Sequence, residues 1–222
     1  DLMIRDSMLK DWEEFKKIAY KEGFRQQGTI EGVSYWKKDQ TPYFLTTDRK
    51  CLAIGKYVDH YALQFPSIET GYFNKIDEYD IKYLKQYPLI ILAGAQWNQQ
   101  QQAEKLILQY VKSGGKVIVD MTGFPVDIMS RQPKFLGVYA EPIQLRGGIT
   151  IQSSSGDTYL GSFSHENDSW RSVIPQPLDE VELSFNYMGN QAPLYGYKYY
   201  NGNKVWFLGA NLAYHSFITK EP

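Results

Sequence analysis

The chain has 222 residues, is 43% hydrophobic and 15% aromatic, and carries a formal net charge of −1. That length fits one large domain, or a domain with an appendage, and the apolar content supplies a core. The balanced charge gives no basic field for nucleic acid. The single cysteine, Cys51, excludes an internal disulfide and a cysteine zinc cage. No apolar run approaches the roughly 20 residues of a membrane-spanning helix. The chain opens at Asp1 without a methionine and shows no signal peptide, so the expectation is an excised piece of a longer protein.

Residues 1–48 read as an appendage of one helix and short strands. Ser7 can cap a helix to about Glu22, with Met8, Trp12, Phe15, Ile18 and Ala19 along one face and Gly23 stopping it. Gly32–Lys38 and Tyr43–Thr47 follow as short strands around the turn Asp39–Pro42. From residue 49 to 222 the pattern is that of an α/β domain. Cys51–Gly55 is its first buried strand, with Cys51 as small apolar filler. Phe65–Asn74 is loop-like. Asn74 can cap a helix from about Lys75 to Gln86 that turns Ile76, Tyr79, Tyr83, Leu84 and Tyr87 inward, with Asp77 near its positive end. Leu89–Ala93 is a continuous apolar run, as in a strand buried on both faces. Asn98 is the candidate cap of the next helix, in which Ala103, Leu106, Ile107, Tyr110 and Val111 recur at helical spacing. Gly114 and Gly115 end it, and Lys116–Asp120 is the next buried strand. Strand, helix and strand make a right-handed βαβ unit.

After a loop over Gly123–Pro133 and a short apolar piece at Phe135–Val138, the pattern changes. A β-rich portion, about 143–200, contains strand-like stretches at Gly148–Gln152, Thr158–Ser162 and Val181–Asn186 with no long helix between them. Leu194–Tyr200 and Lys204–Gly209 flank Asn201-Gly202, a strong two-residue hairpin signal. Val205–Gly209 is apolar at consecutive positions and is expected to return to the main sheet, with Asn211–Phe217 beyond it as loop or short helix. The fold expected is therefore α/β. A mostly parallel, flavodoxin-like sheet is flanked by helices, with an antiparallel β-rich C-terminal portion and an N-terminal helical appendage.

In an open parallel sheet a ligand sits outside the carboxyl ends of the strands. The residues expected to line that crevice are Gln96, Trp97, Asp120, Thr122, Asn211 and His215. The chain lacks G-x-G-x-x-G, a P-loop and G-x-S-x-G, so no dinucleotide, P-loop phosphate or serine-hydrolase site is expected. His60, His165 and His215 form no H-x-x-x-H pair, so neither a metal nor any other cofactor is expected. Asp120, at a strand end, is a general base, a metal ligand or, as is more common there, the cap of the following turn. Tyr195, Tyr197 and Tyr199 share one face of their strand and Tyr200 the other. That face suits stacking on sugars, a protein interface, or plain cross-strand packing.

The phrases LAIGKY, YPLIILAG, SGGKVIVDMTG and VWFLGANLAYH resemble the class I glutamine amidotransferase-like domain. The closer likeness is to its non-catalytic variety in bacterial membrane proteins described as 6-pyruvoyl-tetrahydropterin synthase-related. In working amidotransferases a cysteine follows the strand equivalent to Lys116–Asp120. Here Met121 and Thr122 stand there, and neither forms a thiolate. The histidine expected just past the last strand is replaced by Asn211-Leu212-Ala213. The resemblance thus implies a non-catalytic, extracytoplasmic binding domain, tethered by membrane segments outside these 222 residues. Its ligand would be a glycan or envelope polymer, or a neighbouring domain of the parent protein, and not nucleic acid. Two alternatives stand beside it: a carbohydrate or ester hydrolase using Asp120 and His215, and a purely structural interaction module.

Overall fold

The computed structural model describes residues 2–5, 12–21, 24–30, 33–38, 51–64, 68–126, 131–146, 149–161 and 169–210. At the N-terminal end, β1 (Leu2–Arg5), β2 (Phe24–Ile30) and β3 (Val33–Lys38) form an antiparallel sheet in the order β1-β3-β2. Helix α1 (Trp12–Lys21) connects the first two strands. Ala19 is buried, and the Phe15 ring meets buried Trp36 edge-on with centroids 5.3 Å apart. Ile18, expected on the inward face, is exposed, and strand β2 was not anticipated. The proposed cap Ser7 and the strand Tyr43–Thr47 lie outside the described residues.

The main body continues with β4 (Cys51–Ile54), α2 (Asp59–Gln64), β5 (Ile68–Thr70), a 3-10 turn at Ile76–Glu78 and α3 (Ile81–Leu84). Then come β6 (Leu89–Ala93), α4 (Gln100–Lys112) and β7 (Lys116–Asp120), the anticipated βαβ unit with β6 and β7 paired in parallel. The rest is strand: β8 (Lys134–Phe135), β9 (Val138–Arg146), β10 (Ile149–Ser153), β11 (Thr158–Gly161), β12 (Ser169–Gln176), β13 (Glu180–Tyr187), β14 (Asn190–Tyr200) and β15 (Asn203–Leu208).

This arrangement overturns the expected mostly parallel, flavodoxin-like α/β fold. The protein is mostly β, 49% strand against 20% helix. Nine strands make one mixed sheet in the order β11-β10-β13-β14-β15-β7-β6-β4-β5, and β12-β9-β8 form a separate antiparallel sheet. Of the twelve strand pairings among the described residues, only β15–β7, β7–β6, β6–β4 and β4–β5 are parallel. The physical reason lies after Asp120. Among the described residues beyond Asp120 no helix carries the chain back across the sheet, and the two-residue turns Leu136-Gly137, Met188-Gly189 and Asn201-Gly202 pair their strands antiparallel. Strands β10, β11, β13 and β14 then extend the same sheet through β15, which returns beside β7 as expected.

One face of the parallel half carries the largest core. Ala103, Ile107, Tyr110 and Val111 of α4 are buried against Leu92, Val117, Val119, Val205 and Phe207. Each such aliphatic or aromatic side chain contributes about 1.5–3 kcal/mol relative to exposure. The cap of α4 corrects the sequence reading. Asn98 is not the capping side chain: the Asp77 carboxylate, reaching over from the 3-10 turn, accepts the Asn98 N–H at 2.9 Å and the Gln99 N–H at 2.7 Å. The expected helix Lys75–Gln86 is split into that turn and α3, and Asp80 caps α3 by accepting the Lys82 N–H at 2.6 Å. Cys51 is buried filler in β4, as anticipated.

Candidate functional site

The carboxyl ends of β4, β6 and β7 lie side by side, because parallel pairing aligns Ile54 with Leu92 and Ala93 with Asp120. What happens just beyond them differs from the expected open crevice. The turn after β4 is fastened to the end of β6: the Lys56 N–H donates to the Gly94 carbonyl at 3.3 Å and the Tyr57 N–H to the Ala93 carbonyl at 3.1 Å. This lays the Tyr57 ring directly on the backbone of the two neighbouring strand ends. A Cβ on Gly94 would fall 2.2 Å from Tyr57 Cδ2, and one on Gly123 would fall 2.3 Å from Cε2. Only residues without a side chain admit that approach. Both glycines also sit at positive φ, 62° and 75°. Tyr57 nevertheless keeps 48% of its surface exposed, so the ring covers the strand ends and presents itself outward.

Beneath it, Asp120 is fully buried. Its Oδ2 accepts the Tyr61 hydroxyl of α2 at 2.7 Å, and its Oδ1 accepts both the Thr122 N–H, at 2.9 Å, and the Thr122 hydroxyl. Burial pushes the Asp120 carboxyl up to about 6, opposed by the hydrogen bonds from Thr122 and Tyr61. Burial likewise raises the Tyr61 hydroxyl well above its ordinary value, with the Asp120 charge adding to it. Of the three roles weighed for Asp120, the geometry is that of the turn cap. A carboxylate with no exposed surface and three donors on it cannot reach a substrate proton. Met121, at the position where the resemblance places a nucleophile, is itself fully buried in the main core. Cys51 is buried, and burial pushes its thiol up to about 12, far from the range of a reactive thiolate.

The other sequence-expected residues separate. Trp97 is half-buried and belongs to the core beside α4. It stacks on Phe135 with centroids 5.5 Å apart and planes at 17°, and tilts against Phe124 at 5.9 Å. It is no open platform. Gln96 is half-buried and fixed through its backbone, its N–H donating to the Asn74 carbonyl and its carbonyl accepting the Ile76 N–H, both at 2.8 Å. Thr122 is half-buried at the strand-end surface, beside Gly123 under the Tyr57 ring. Asn211 and His215 lie outside the described residues. Among the described residues no group of three or more His, Cys, Asp or Glu is placed to hold a metal ion, and no helix is long and apolar enough to cross a membrane.

Tyr57, two residues past the expected first strand Cys51–Gly55, was not among the residues expected to line the crevice. Its signal was present: β4, β6 and the β7 turn each close on a glycine, Gly55, Gly94 and Gly123. On the hairpin, Tyr200 does face away from Tyr197 and Tyr199, its hydroxyl donating to the Leu136 carbonyl in the α4-side layer. Tyr197 pairs across the strands with Trp206, and the Lys204 ammonium stands 3.7 Å from the Tyr197 ring centroid. That is cross-strand and cation–π packing.

A family model described as "Domain of unknown function (DUF8560)" matches residues 50–215. No curated protein matches the sequence. Among solved structures, a β-galactosidase from Rahnella sp. R3 is similar with a TM-score of 0.51 at 11% identity, over 77% of this chain and 30% of that one. The GH42 β-galactosidase Gan42B is similar with a TM-score of 0.46 at 13% identity, over 77% of this chain and 29% of that one. The mmIFT52 N-terminal domain gives 0.49 at 12% identity, over 72% of this chain and 86% of that one. The chain thus spans less than a third of the length of either galactosidase. The first likeness is one of fold alone, and the other two carry no argument.

Proposed function

The chain belongs to that family, and we propose that it is a non-catalytic binding domain whose ligand, a glycan, stacks on Tyr57 at the carboxyl ends of β4, β6 and β7. The observation that carries the reading is the contrast between the two chemistries at one place. Asp120, the carboxylate at the β7 turn among the described residues, is sealed from solvent, while the aromatic ring of Tyr57 is exposed and held by backbone contacts on two strands. A fixed aromatic face suits the apolar face of a sugar ring, because the ring is already ordered before the ligand arrives. Thr122, half-buried beside the Gly123 that lies under the ring, is placed to supply a hydrogen bond that fixes orientation. In the same reading the domain stands on the outer face of a bacterial membrane, carried by segments outside these residues. What supports that location is the resemblance to non-catalytic amidotransferase-like domains.

The test is a glycan array followed by calorimetric titration of any sugar that binds. Tyr57→Ala is expected to weaken binding about tenfold, corresponding to about 1.4 kcal/mol. A protein that binds no glycan, or a variant that binds as well as wild type, removes the proposal.

A further inference from the structure

Asp120 is joined to both sides of the contact that the Tyr57 ring makes. On one side, Tyr61 lies about one helical turn beyond Tyr57, in a turn closed by the Ala62 N–H donating to the Val58 carbonyl at 3.0 Å. The Tyr61 hydroxyl donates to Asp120 Oδ2 at 2.7 Å. On the other side, Thr122 donates to Oδ1 through its N–H, at 2.9 Å, and through its hydroxyl. Thr122 directly precedes Gly123, on which the ring rests. One fully buried carboxyl group thus ties the segment that carries the ring to the turn beneath it. The backbone bonds of Lys56 and Tyr57 to the end of β6 fasten only the near end of that segment.

We propose that Asp120 is a positioning residue for the Tyr57 face: its carboxyl group is a latch that holds the ring on Gly123 and lets it go on ionising. The consequence for a ligand rests on the glycan reading above; the movement of the ring does not. A neutral carboxyl group keeps the latch closed, donating its proton to the Tyr61 oxygen while Thr122 still donates to the other oxygen. An ionised one leaves a full charge in a site closed to water, with no cation among its hydrogen-bond partners. The hydrogen bonds do not offset that burial, which pushes the group up to about 6. The charge reaches water when the turn lifts, because Thr122 is half-buried at the strand-end surface. The titratable and charged groups around the latch are few among the described residues. Tyr61 of α2, and Cys51 of β4 in the same small core, are both pushed upward by burial. Asp59, at the start of α2, accepts a hydrogen bond from Gln26 Nε2 at 3.2 Å, and Lys56 is exposed. Strands β6 and β15 place Ala93 and Leu208 beside Asp120. His60 adjoins Tyr61 in the sequence and ordinarily titrates at about 6.5, so it is removed as a control.

The experiment places fluorotyrosine at position 57 and follows its fluorine resonance from about pH 5 to 7.5, without any sugar present. With 6 for the latched carboxyl and 3.8 for the free one, the ratio of released to latched ring should rise about tenfold over that interval. The same rise is expected in His60→Gln. Asp120→Asn keeps a neutral group with an oxygen for Thr122 and an N–H for the Tyr61 oxygen, so the ratio should stay constant. Tyr61→Phe cuts one arm of the latch without introducing a charge, and should show the released ring already at the acid end. Four results overturn the proposal: a resonance in the wild type that ignores pH, a rise in Asp120→Asn equal to the wild type's, a rise abolished by His60→Gln, or a ring in Tyr61→Phe that stays latched in acid. Because no sugar is present, a glycan array without hits leaves the latch standing, and a failed latch leaves glycan binding to the array.

Discussion

The two halves of the nine-stranded sheet are buried by different rules. In the parallel half, strands β4 and β6 are buried at consecutive positions, Leu52–Ile54 and Ile90–Ala93, because helices pack on both faces. In the antiparallel half burial alternates, as in β10, where Ile149 and Ile151 are buried while Thr150 and Gln152 are exposed. There one face meets a smaller core of Ile143, Ile174, Phe185 and Leu194, and the other stays largely open. The consequence is a division of roles. A half buried on both faces gives rigid strand ends, on which the Tyr57 ring can be fixed. A half covered on one face ends in hairpins that reach into solvent, and Met188 stands on one of them. Strand β15 joins the two, pairing in parallel with β7 and antiparallel with β14.

The largest test asks whether these halves are one cooperative body. Phe207 is fully buried in the parallel half's core and Phe185 in the smaller one. Replacing either by alanine is expected to cost about 3–5 kcal/mol. If the shared sheet couples the halves, urea denaturation of both variants shows one transition with an unchanged slope. A second transition in Phe185→Ala alone would show the antiparallel half unfolding by itself.

Next is pH. Asp120 titrates near 6 in the folded protein against 3.8 for the free side chain. The folded state therefore holds a proton that the unfolded chain has released over that interval. Stability from this group is full below about pH 4 and is lost as pH rises through 6, about 3 kcal/mol in all. Thermal melts from pH 7 to 4 should gain stability in wild type, and Asp120→Asn should flatten this contribution. An unaltered profile in the variant would mean that the carboxylate is not desolvated as the geometry requires.

The same division explains what the sequence could disclose. Continuous apolar runs such as Leu89–Ala93 announce strands buried on both faces, and Asn201-Gly202 announces its hairpin, so the βαβ unit and the return of β15 were legible. Strands β9 and β12 were not. Each carries a proline, Pro142 and Pro175, which demotes a run from strand to loop when it is read alone. Missing them, and reading the β-rich stretch as separate from the main sheet, made the fold look more parallel than it is. At the site, Asp120 could be read as a turn cap from its position. For Tyr57 the closing glycines were visible, but its resting place on Gly94 and Gly123 was not, because it is set by three strands far apart in sequence. Trp97 was misread for a related reason: the partners that bury it, Phe124 and Phe135, come from the segment after β7.

Two smaller effects sharpen the claim that the parallel half is a preset platform. Gly94→Ala adds a methyl at positive φ, where a Cβ costs about 1–2 kcal/mol, and that methyl must also displace the Tyr57 ring. The expected outcome is that modest loss in denaturation, together with changed Tyr57 accessibility to chemical iodination. Unchanged accessibility would mean the ring does not rest on the glycine.

The smallest effect concerns the helix that backs the platform. Asp77 lies in a different element from α4, yet its carboxylate accepts the Asn98 and Gln99 N–H groups at the start of that helix. Capping exchanges two solvent-seeking N–H groups for charge-assisted bonds at the positive end of the helix dipole. Asp77→Ala should therefore cost about 1 kcal/mol, while Asp77→Asn, which keeps one acceptor, should cost less. Asn98→Ala removes no bond to these N–H groups and should leave hydrogen exchange at the start of α4 nearly unchanged. A larger loss in Asn98→Ala than in Asp77→Ala would return the cap to the residue that spacing alone suggested, and would detach the 3-10 turn from the support of the strand ends.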